Sequence, residues 1–226
     1  MAGSRARPDP ALSPIITGIL GGSFNPAHGG HRRITRFAQA ALGLDEVWWL
    51  VSPGNPLKPK AGMAPLAARL ASARIQARRT PIRVSAIERE LGTRYTIDSL
   101  RRIVRRWPKR RFVWLMGSDN LAQFARWRDW RGIARLMPIA VIARPGYEGR
   151  AAASPAMAWL RRYRVASASL DNRFPWSAPA LVYLRFDPDS RSATALRRAD
   201  PHWASRAKVL ALRDGVTRRP IPADAA

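Results

Sequence analysis

Short apolar runs alternate with stretches of helical spacing along most of the chain. The first run, Pro14–Leu20, is apolar and β-rich, which is typical of a buried strand. Apolar residues then recur at helical spacing at 34, 37, 38, 41 and 42, and Gly43 follows them as a stop signal. A second apolar run, Val47–Val51, ends at the turn-forming segment Ser52–Pro56. This order predicts a strand, a glycine-rich turn, a helix and a strand, which together make a βαβ unit.

The same alternation continues and predicts the fold class. Residues 149–158 are rich in Ala and Ser and are predicted to form a loop. Repeated alternation of strands and helices predicts an α/β, Rossmann-like fold, with a mostly parallel sheet and helices on both faces. Further strands are predicted over 82–87, 112–116, 139–142, 165–168 and 181–186, and helices over 66–79, 96–107 with Thr96 as cap, within 119–136, and over 192–213.

The length of 226 residues suits one domain. We predict a flexible arm over 1–14, a single domain over 15–215 and a loose tail over 216–226. Neither a membrane span nor a secretory signal is expected, because no apolar run is long enough. Cys is absent, which excludes disulfide scaffolds, thiolate zinc sites and cysteine nucleophiles and agrees with a cytoplasmic location.

The chain is strongly basic, with 40 Lys and Arg against 15 Asp and Glu and a formal net charge of +25. Two interpretations stay open. Such a surface attracts polyanions. However, only four of the cations are Lys and Ala is abundant, so a compositional bias towards Arg and Ala, with a solvated surface, is the favoured explanation of the charge. No membrane partner and no specific nucleic acid is expected.

Candidate chemistry lies in the turn after the first predicted strand, over Gly21–His31. Glycines after a strand let backbone N–H groups approach an anion, and the start of the next helix presents unpaired donors to it. His28 and His31 are three residues apart and can share one face of that helix. A tight turn without a ligand, or a metal site needing a third ligand, would use the same residues; a phosphate site is favoured.

Two motifs resemble those of a known superfamily. The segment Gly21–His31 is similar to the signature G-G-[ST]-F-[DN]-P-x-H-x-G-H of the H-x-G-H nucleotidyltransferases. Ser192–Arg197 is similar to their second signature, S-x-T-x-x-R, although Ala193 stands where fuller forms carry a second Ser. The two matches occur in the right order and far apart in the chain.

Further segments resemble the bacterial nicotinate-mononucleotide adenylyltransferases within this superfamily. The resemblance covers about residues 16–200, and Arg128 stands where some members carry an aromatic residue. The matching segments are Asn55–Lys58, Tyr95–Leu100, Leu115–Leu121 with Trp127 after it, and Arg144–Gly146.

The resemblance implies adenylyl transfer from ATP to nicotinate mononucleotide, with Mg²⁺ accompanying ATP and a possible homo-oligomer. It implies that His28, His31 and Arg197 act in catalysis. The residues that it implies for binding ATP are Gly21, Gly22, Ser23, Phe24, His28, His31, Arg144, Ser192, Thr194 and Arg197, and those for nicotinate mononucleotide are Thr93, Arg94, Tyr95, Asp119 and Trp127.

Purely structural or solvent-exposed roles remain open for several of these residues. Trp127 can be a buried aromatic residue, Asp119 can cap a helix, and Arg94 and Arg144 can be solvated. Two other functions also remain open: a phosphopantetheine or cytidylyl transferase of the same superfamily, and a basic RNA-binding protein. The second is disfavoured because most Trp residues fall in apolar runs, where we expect burial instead of base stacking.

Overall fold

The computed structural model describes residues 14–54, 61–143, 146–167, 177–186, 193–207 and 212–221. Six parallel strands form one sheet in the order β3-β2-β1-β4-β5-β6. A separate antiparallel pair, β7 and β8, follows near the end of the described chain. The strands are β1 Ile16–Gly22, β2 Glu46–Val51, β3 Ile82–Ser85, β4 Arg111–Gly117, β5 Ile139–Ile142, β6 Leu181–Leu184, β7 Leu212–Arg213 and β8 Pro220–Ile221.

Helices connect the strands of the sheet. A 3₁₀ turn at Phe124–Arg126 separates two of them, and a second one follows at Arg161–Tyr163. The helices of the described ranges are α1 Gly29–Leu42, α2 Leu66–Ala77, α3 Ile87–Glu90, α4 Thr96–Arg106, α5 Ser118–Leu121, α6 Trp130–Leu136, α7 Glu148–Ala152, α8 Pro155–Leu160 and α9 Ala193–Ala199. The described residues include no helix long and apolar enough to cross a membrane.

Two apolar cores cover the two faces of the sheet. Successive side chains of a strand point to opposite faces, so Trp49 of β2 enters one core and Trp48 the other. Both indoles are at most 1% exposed. A parallel sheet buried on both faces needs continuous apolar strands, which is the pattern of β2. The predicted α/β, Rossmann-like fold is therefore confirmed.

The strand order indicates where a ligand can bind in this fold. From β1 the chain first moves outward to β2 and β3, and then returns to pair β4 on the other side of β1. The connections after β1 and β4 therefore leave the sheet in opposite directions and open a crevice at the carboxyl ends of these strands. The glycine-rich turn begins at that end of β1.

Several predicted elements differ from the structure. Residues 149–158, expected as a loop, lie largely within α7 and α8, since Ser154 caps α8, Pro155 opens it and Ala151 and Ala156 are fully buried. The small side chains that suggested a loop in the sequence therefore allow these helices to pack closely. The N-cap of α4 is Tyr95 and not Thr96, which is the first helical residue.

The C-terminal part of the chain also differs from the prediction. The helix predicted over 192–213 ends at Ala199, and residues 201–206 form turns. Residues 216–221, expected to be loose, belong to a hairpin that packs against the edge strand β3. Its buried Asp214 accepts hydrogen bonds from Ser85 Oγ and from the backbone N–H of Ala86. Residues 165–167 form no strand, although the N–H of Val165 donates to the carbonyl of Leu181.

Candidate active site

A cleft of about 900 Å³, counted with the solvent at its mouth, opens at the carboxyl ends of β1 and β4. Six of its lining residues are among those predicted from the sequence: Gly21, Gly22, Ser23, Arg94, Tyr95 and Trp127. Eight others were not assigned to a binding site from the sequence: Ser52, Gly54, Glu88, Thr96, Trp114, Asn120, Arg126 and Arg128.

The floor of the cleft requires glycine at position 21. A Cβ added to Gly21 would lie 2.6 Å from the Trp114 ring, inside van der Waals contact. The indole of Trp114 is 2% exposed and closes the cleft from the side of β4. The backbone of β1 and an aromatic wall therefore meet directly, with no side chain between them.

The two histidines of the turn cap the helix that follows it. His28 is the N-cap residue of α1, and its Nδ1 accepts from the N–H of Gly30 at 3.1 Å. His31 Nδ1 in turn accepts from the N–H of His28 at 3.2 Å. A neutral imidazole that accepts at Nδ1 carries its proton on Nε2. In neutral rings, the capping box therefore places the ring proton of both imidazoles on Nε2.

Aromatic packing holds this pair of imidazoles in place. The rings of His28 and His31 lie 4.0 Å apart between centroids. Phe24 packs against His31 at 5.0 Å and stacks on Trp49 at the same distance. Phe24 was predicted to bind ATP, but its side chain is buried and is not among the cleft-lining residues. Its ring supports His31 from behind.

The second motif lies against the first in space. Arg197 of α9 donates from Nη1 to the backbone carbonyl of Asn25 at 2.6 Å, and its Nη2 lies 3.4 Å from Thr194 Oγ1. Thr194 and Arg197 were predicted to share one ATP site with the glycine-rich turn, and the structure brings both of them to that turn. Ser192 and Arg144 lie outside the described residues, as does the segment 55–58.

Asn25 is held from a second side by the segment before α2. Its Nδ2 donates to the carbonyl of Gly62 at 2.8 Å, and its Oδ1 accepts from the N–H of Ala64 at 3.2 Å. The N–H of Ala27 donates to Ser72 Oγ of α2 at 3.1 Å. The turn is thus fixed between α2 and α9 by directional bonds, which preorganises its backbone.

Trp127 and Tyr95 form the opposite wall of the cleft. Trp127 is half-buried, and its ring lies edge-on to those of Trp114 and Phe124, at 6.2 and 5.4 Å. The guanidinium of Arg128 lies 4.6 Å from the centroid of the Tyr95 ring, and that of Arg94 lies 5.7 Å from it. This wall therefore combines aromatic faces with positive charge.

Two predicted substrate residues, like His28, His31, Thr194 and Arg197, are not among the residues that line the cleft. Thr93 is buried, its N–H donates to the carbonyl of Glu88 at 3.0 Å, and its hydroxyl lies 2.8 Å from Ser99 Oγ. That N–H is therefore already engaged. Asp119 is the second residue of α5, whose N-cap is Gly117, and it is not among the residues that line the cleft.

Glu88 is a cleft residue that sequence reasoning missed. Its Oε1 accepts from Ser99 Oγ at 3.1 Å. Burial raises the pKa of the Glu88 carboxyl, while hydrogen bonds from Ser99 and Ser52 act in the opposite direction. A carboxylate directly after a predicted strand was the available signal, but nothing local says that the chain folds it back into the cleft.

Comparison with known proteins agrees with this geometry. The family model for cytidylyltransferase-like proteins matches residues 19–199. A protein of Erythrobacter litoralis strain HTCC2594, named probable nicotinate-nucleotide adenylyltransferase, is 68% identical over 92% of this chain and 94% of its own length. One of Parvibaculum lavamentivorans with the same name is 52% identical over 82% of this chain and 93% of its own.

Solved structures share the fold at much lower identity. The Plasmodium falciparum nicotinic acid mononucleotide adenylyltransferase complexed with NaAD has a TM-score of 0.60 at 16% identity, over 81% of this chain and 82% of the other. The same enzyme complexed with APC has a TM-score of 0.57 over the same shares of the two chains.

The sheet order, the crevice and the two meeting motifs define a nucleotidyltransferase site, and the chain belongs to the cytidylyltransferase-like family. Within that family it belongs with the nicotinate-nucleotide adenylyltransferases, as its residues had predicted.

Proposed function

We propose that this protein transfers the adenylyl group of ATP to nicotinate mononucleotide, in the synthesis of NAD. A phosphate oxygen of the mononucleotide attacks the α-phosphorus of ATP. The bond between that phosphorus and the oxygen bridging to the β-phosphate breaks, and pyrophosphate leaves with the bridging oxygen. The observation that carries the proposal is the bond from Arg197 to the Asn25 carbonyl, because it brings both phosphate motifs to one end of β1.

No general base is needed for this displacement. The attacking phosphate is already an anion at neutral pH, so catalysis consists of positioning and of stabilising negative charge. We assign the Nε2–H groups of His28 and His31 to phosphate oxygens, with His31 at the α-phosphate. The support for this assignment is that both Nδ1 atoms are engaged in the cap.

Thr194 and Arg197 are assigned to the β- and γ-phosphates and to the departing pyrophosphate. A guanidinium suits this task because it stays charged and donates two parallel bonds. Arg197 uses Nη1 on Asn25, which sets the direction of its remaining N–H groups. Ser192 and Arg144 are assigned to ATP on the sequence resemblance alone.

Mg²⁺ is expected to enter with ATP, held by phosphate oxygens and water. Among the residues of the described ranges, no three His, Asp or Glu side chains gather as a ligand set. The donors of the turn are backbone N–H groups and imidazoles, which suit phosphate better than a cation. When bound, the ion would neutralise charge on the triphosphate.

The nicotinate ring is assigned to the wall around Trp127 and Tyr95. The face of Trp127 offers a stacking surface at the cleft, and Arg94 and Arg128 supply positive charge for a ring carboxylate. Since the N–H of Thr93 is engaged by Glu88, backbone donation to the carboxylate is assigned to Arg94 and Tyr95 instead.

Pyrophosphate release tests the reaction directly. The purified protein receives ATP and Mg²⁺ with nicotinate mononucleotide, nicotinamide mononucleotide or phosphopantetheine in parallel. Fast release is expected with the nicotinate substrate; release only with phosphopantetheine would reassign the protein within its family. His31→Ala should abolish the signal, while His202→Ala, at an exposed turn, is the matched control and should keep it.

The cytoplasmic location, the homo-oligomer and the lack of a specific nucleic-acid partner stay predictions from the sequence. A salt titration of RNA binding tests the last of these. Weak, featureless binding at physiological salt is expected, because charge alone then carries the attraction.

A further inference from the structure

Arg69 of α2 is a fully buried cation whose hydrogen-bond acceptors are all neutral. The residue is 1% exposed. Its Nε donates to the carbonyl of Ala64 at 2.8 Å, and its Nη1 donates to the carbonyls of Ser23 at 2.9 Å and Ser52 at 2.6 Å. A longer bond of 3.4 Å joins Nη2 to the carbonyl of Pro53.

These bonds join two rims of the cleft through one side chain. Ser23 follows β1 and Ser52 follows β2, and both line the cleft together with Gly54. The two loops are otherwise joined near this point by the N–H of Ser52, which donates to the carbonyl of Gly22 at 3.0 Å. The guanidinium of Arg69 therefore sets the spacing of the loops from behind.

The direction of the carbonyls matters for ligand binding. In a planar trans peptide the N–H points opposite to the C=O. Because the Ser23 carbonyl points at Arg69, the N–H of Phe24 points away from it, and the Pro53 carbonyl does the same for the N–H of Gly54. No described residue accepts a hydrogen bond from either N–H. Arg69 thus fixes the direction of two backbone donors in the loops that border the cleft.

None of the groups that accept hydrogen bonds from Arg69 carries a negative charge, so the guanidinium has no counter-ion among its hydrogen-bond partners. Burial lowers the pKa of Arg69 to about 10, which records the cost of holding the cation out of water. A buried charge is normally kept only when an opposite charge comes close to it. The proposed substrates carry several negative charges on phosphate.

We propose that Arg69 is a positioning residue for phosphate binding, which turns the peptide donors of the loops after β1 and β2 towards the bound nucleotide and is charge-compensated by its phosphates. This inference rests on the proposed function for the identity of the ligand. The alternative is that Arg69 only holds the two loops together. Loss of Arg69 would then affect the binding of charged and uncharged ligands equally.

The test compares the affinities of adenosine, AMP, ADP and a non-hydrolysable ATP analogue, measured by calorimetry or by competition. In the wild type, affinity should rise with the number of phosphates. Arg69→Met should lower this gain about tenfold between AMP and the ATP analogue, the size expected for losing a charged donor. Adenosine affinity should stay within about twofold. Arg78→Met removes the same charge at the other end of α2, on an exposed residue, and should leave the series unchanged.

Equal loss of affinity for adenosine and for the ATP analogue would overturn the proposal and would show that Arg69 only holds the two loops together. An unchanged series in Arg69→Met would overturn it as well. Arg69→Lys keeps the charge with fewer donors, and a partial loss of the phosphate gain is expected; it replaces the Met variant if that one does not fold. Turnover with nicotinate mononucleotide is measured separately. If the wild type shows the phosphate gain without turnover, the proposed reaction fails while this inference stands.

Discussion

Arg197 Nη1 lies 2.6 Å from the backbone oxygen of Asn25, a residue 172 positions earlier in the chain. The contact joins α9 to the turn after β1, where the two imidazoles begin α1. In the proposed reaction the two motifs act together, because the first is assigned N–H donors and the second a guanidinium. Variants that break this hydrogen bond therefore test the proposed reaction directly.

Replacing Arg197 should impair pyrophosphate formation much more than folding. Arg197→Lys keeps the charge but cannot both bond Asn25 and donate to phosphate in a fork, so kcat should fall about 100-fold or more. Steady-state kinetics measures this, with Arg198→Lys as control on the exposed neighbouring position. A variant with normal kcat would show that the triphosphate is held by other groups.

The capping role of His28 can be separated from its assigned phosphate role. His28→Ala should lose about 1 kcal/mol of unfolding free energy, because the N–H of Gly30 loses its acceptor. His28→Asn supplies another good cap and should recover that stability while turnover stays low. Urea unfolding and turnover are measured on the same samples. Recovery of both together would mean that His28 acts only as a cap.

Gly21→Ala should disturb the cleft wall. The added Cβ would meet the benzo end of the Trp114 indole at 2.6 Å, so overpacking should cost about 1–3 kcal/mol. Trp114→Phe removes the ring atoms that make this contact. The double variant should therefore be more stable than the sum of the single effects predicts. Strict additivity in the unfolding free energies would contradict direct contact between these two residues.

Glu88 should make stability depend on pH. Burial raises the pKa of the Glu88 carboxyl in the folded protein. Between the unfolded and the folded pKa values, the folded state therefore holds a proton that the unfolded state has already lost. This contribution is present below the ordinary Glu pKa and is lost as pH rises through the folded value. Glu88→Gln retains an oxygen acceptor for Ser99 without the charge, so the wild type should lose stability relative to it with rising pH.

Urea unfolding from about pH 4 to about pH 8 measures the Glu88 effect. Glu148→Gln, at an exposed carboxylate of α7, serves as the matched substitution and should show no comparable trend. A constant difference between wild type and Glu88→Gln across this range would remove the assigned pH dependence.

Local patterns were sufficient for the order of the main strands and helices and for part of the site. β5 lies where the apolar run predicts it, β1, β2 and β4 differ from their predictions by at most two residues at an end, and α1 ends at Leu42, directly before the predicted stop Gly43. Their side chains report burial and period directly, since a strand enclosed on both faces must be apolar throughout. The glycine-rich turn and its histidines are contiguous in sequence, so one segment contains the residues that we assign to phosphate binding.

Tertiary packing alone decided the rest of the site. Arg69 looks like one more cation among many, and Glu88 like a solvated carboxylate, until α2 and α3 place them behind and inside the cleft. The same holds for Trp114, an ordinary buried strand residue that also forms a wall of the cleft. Whether a charged side chain is solvated or enclosed depends on the segments packed around it, which lie far away in the sequence. Burial and charge compensation are therefore properties of the folded assembly of segments and are absent from any single one.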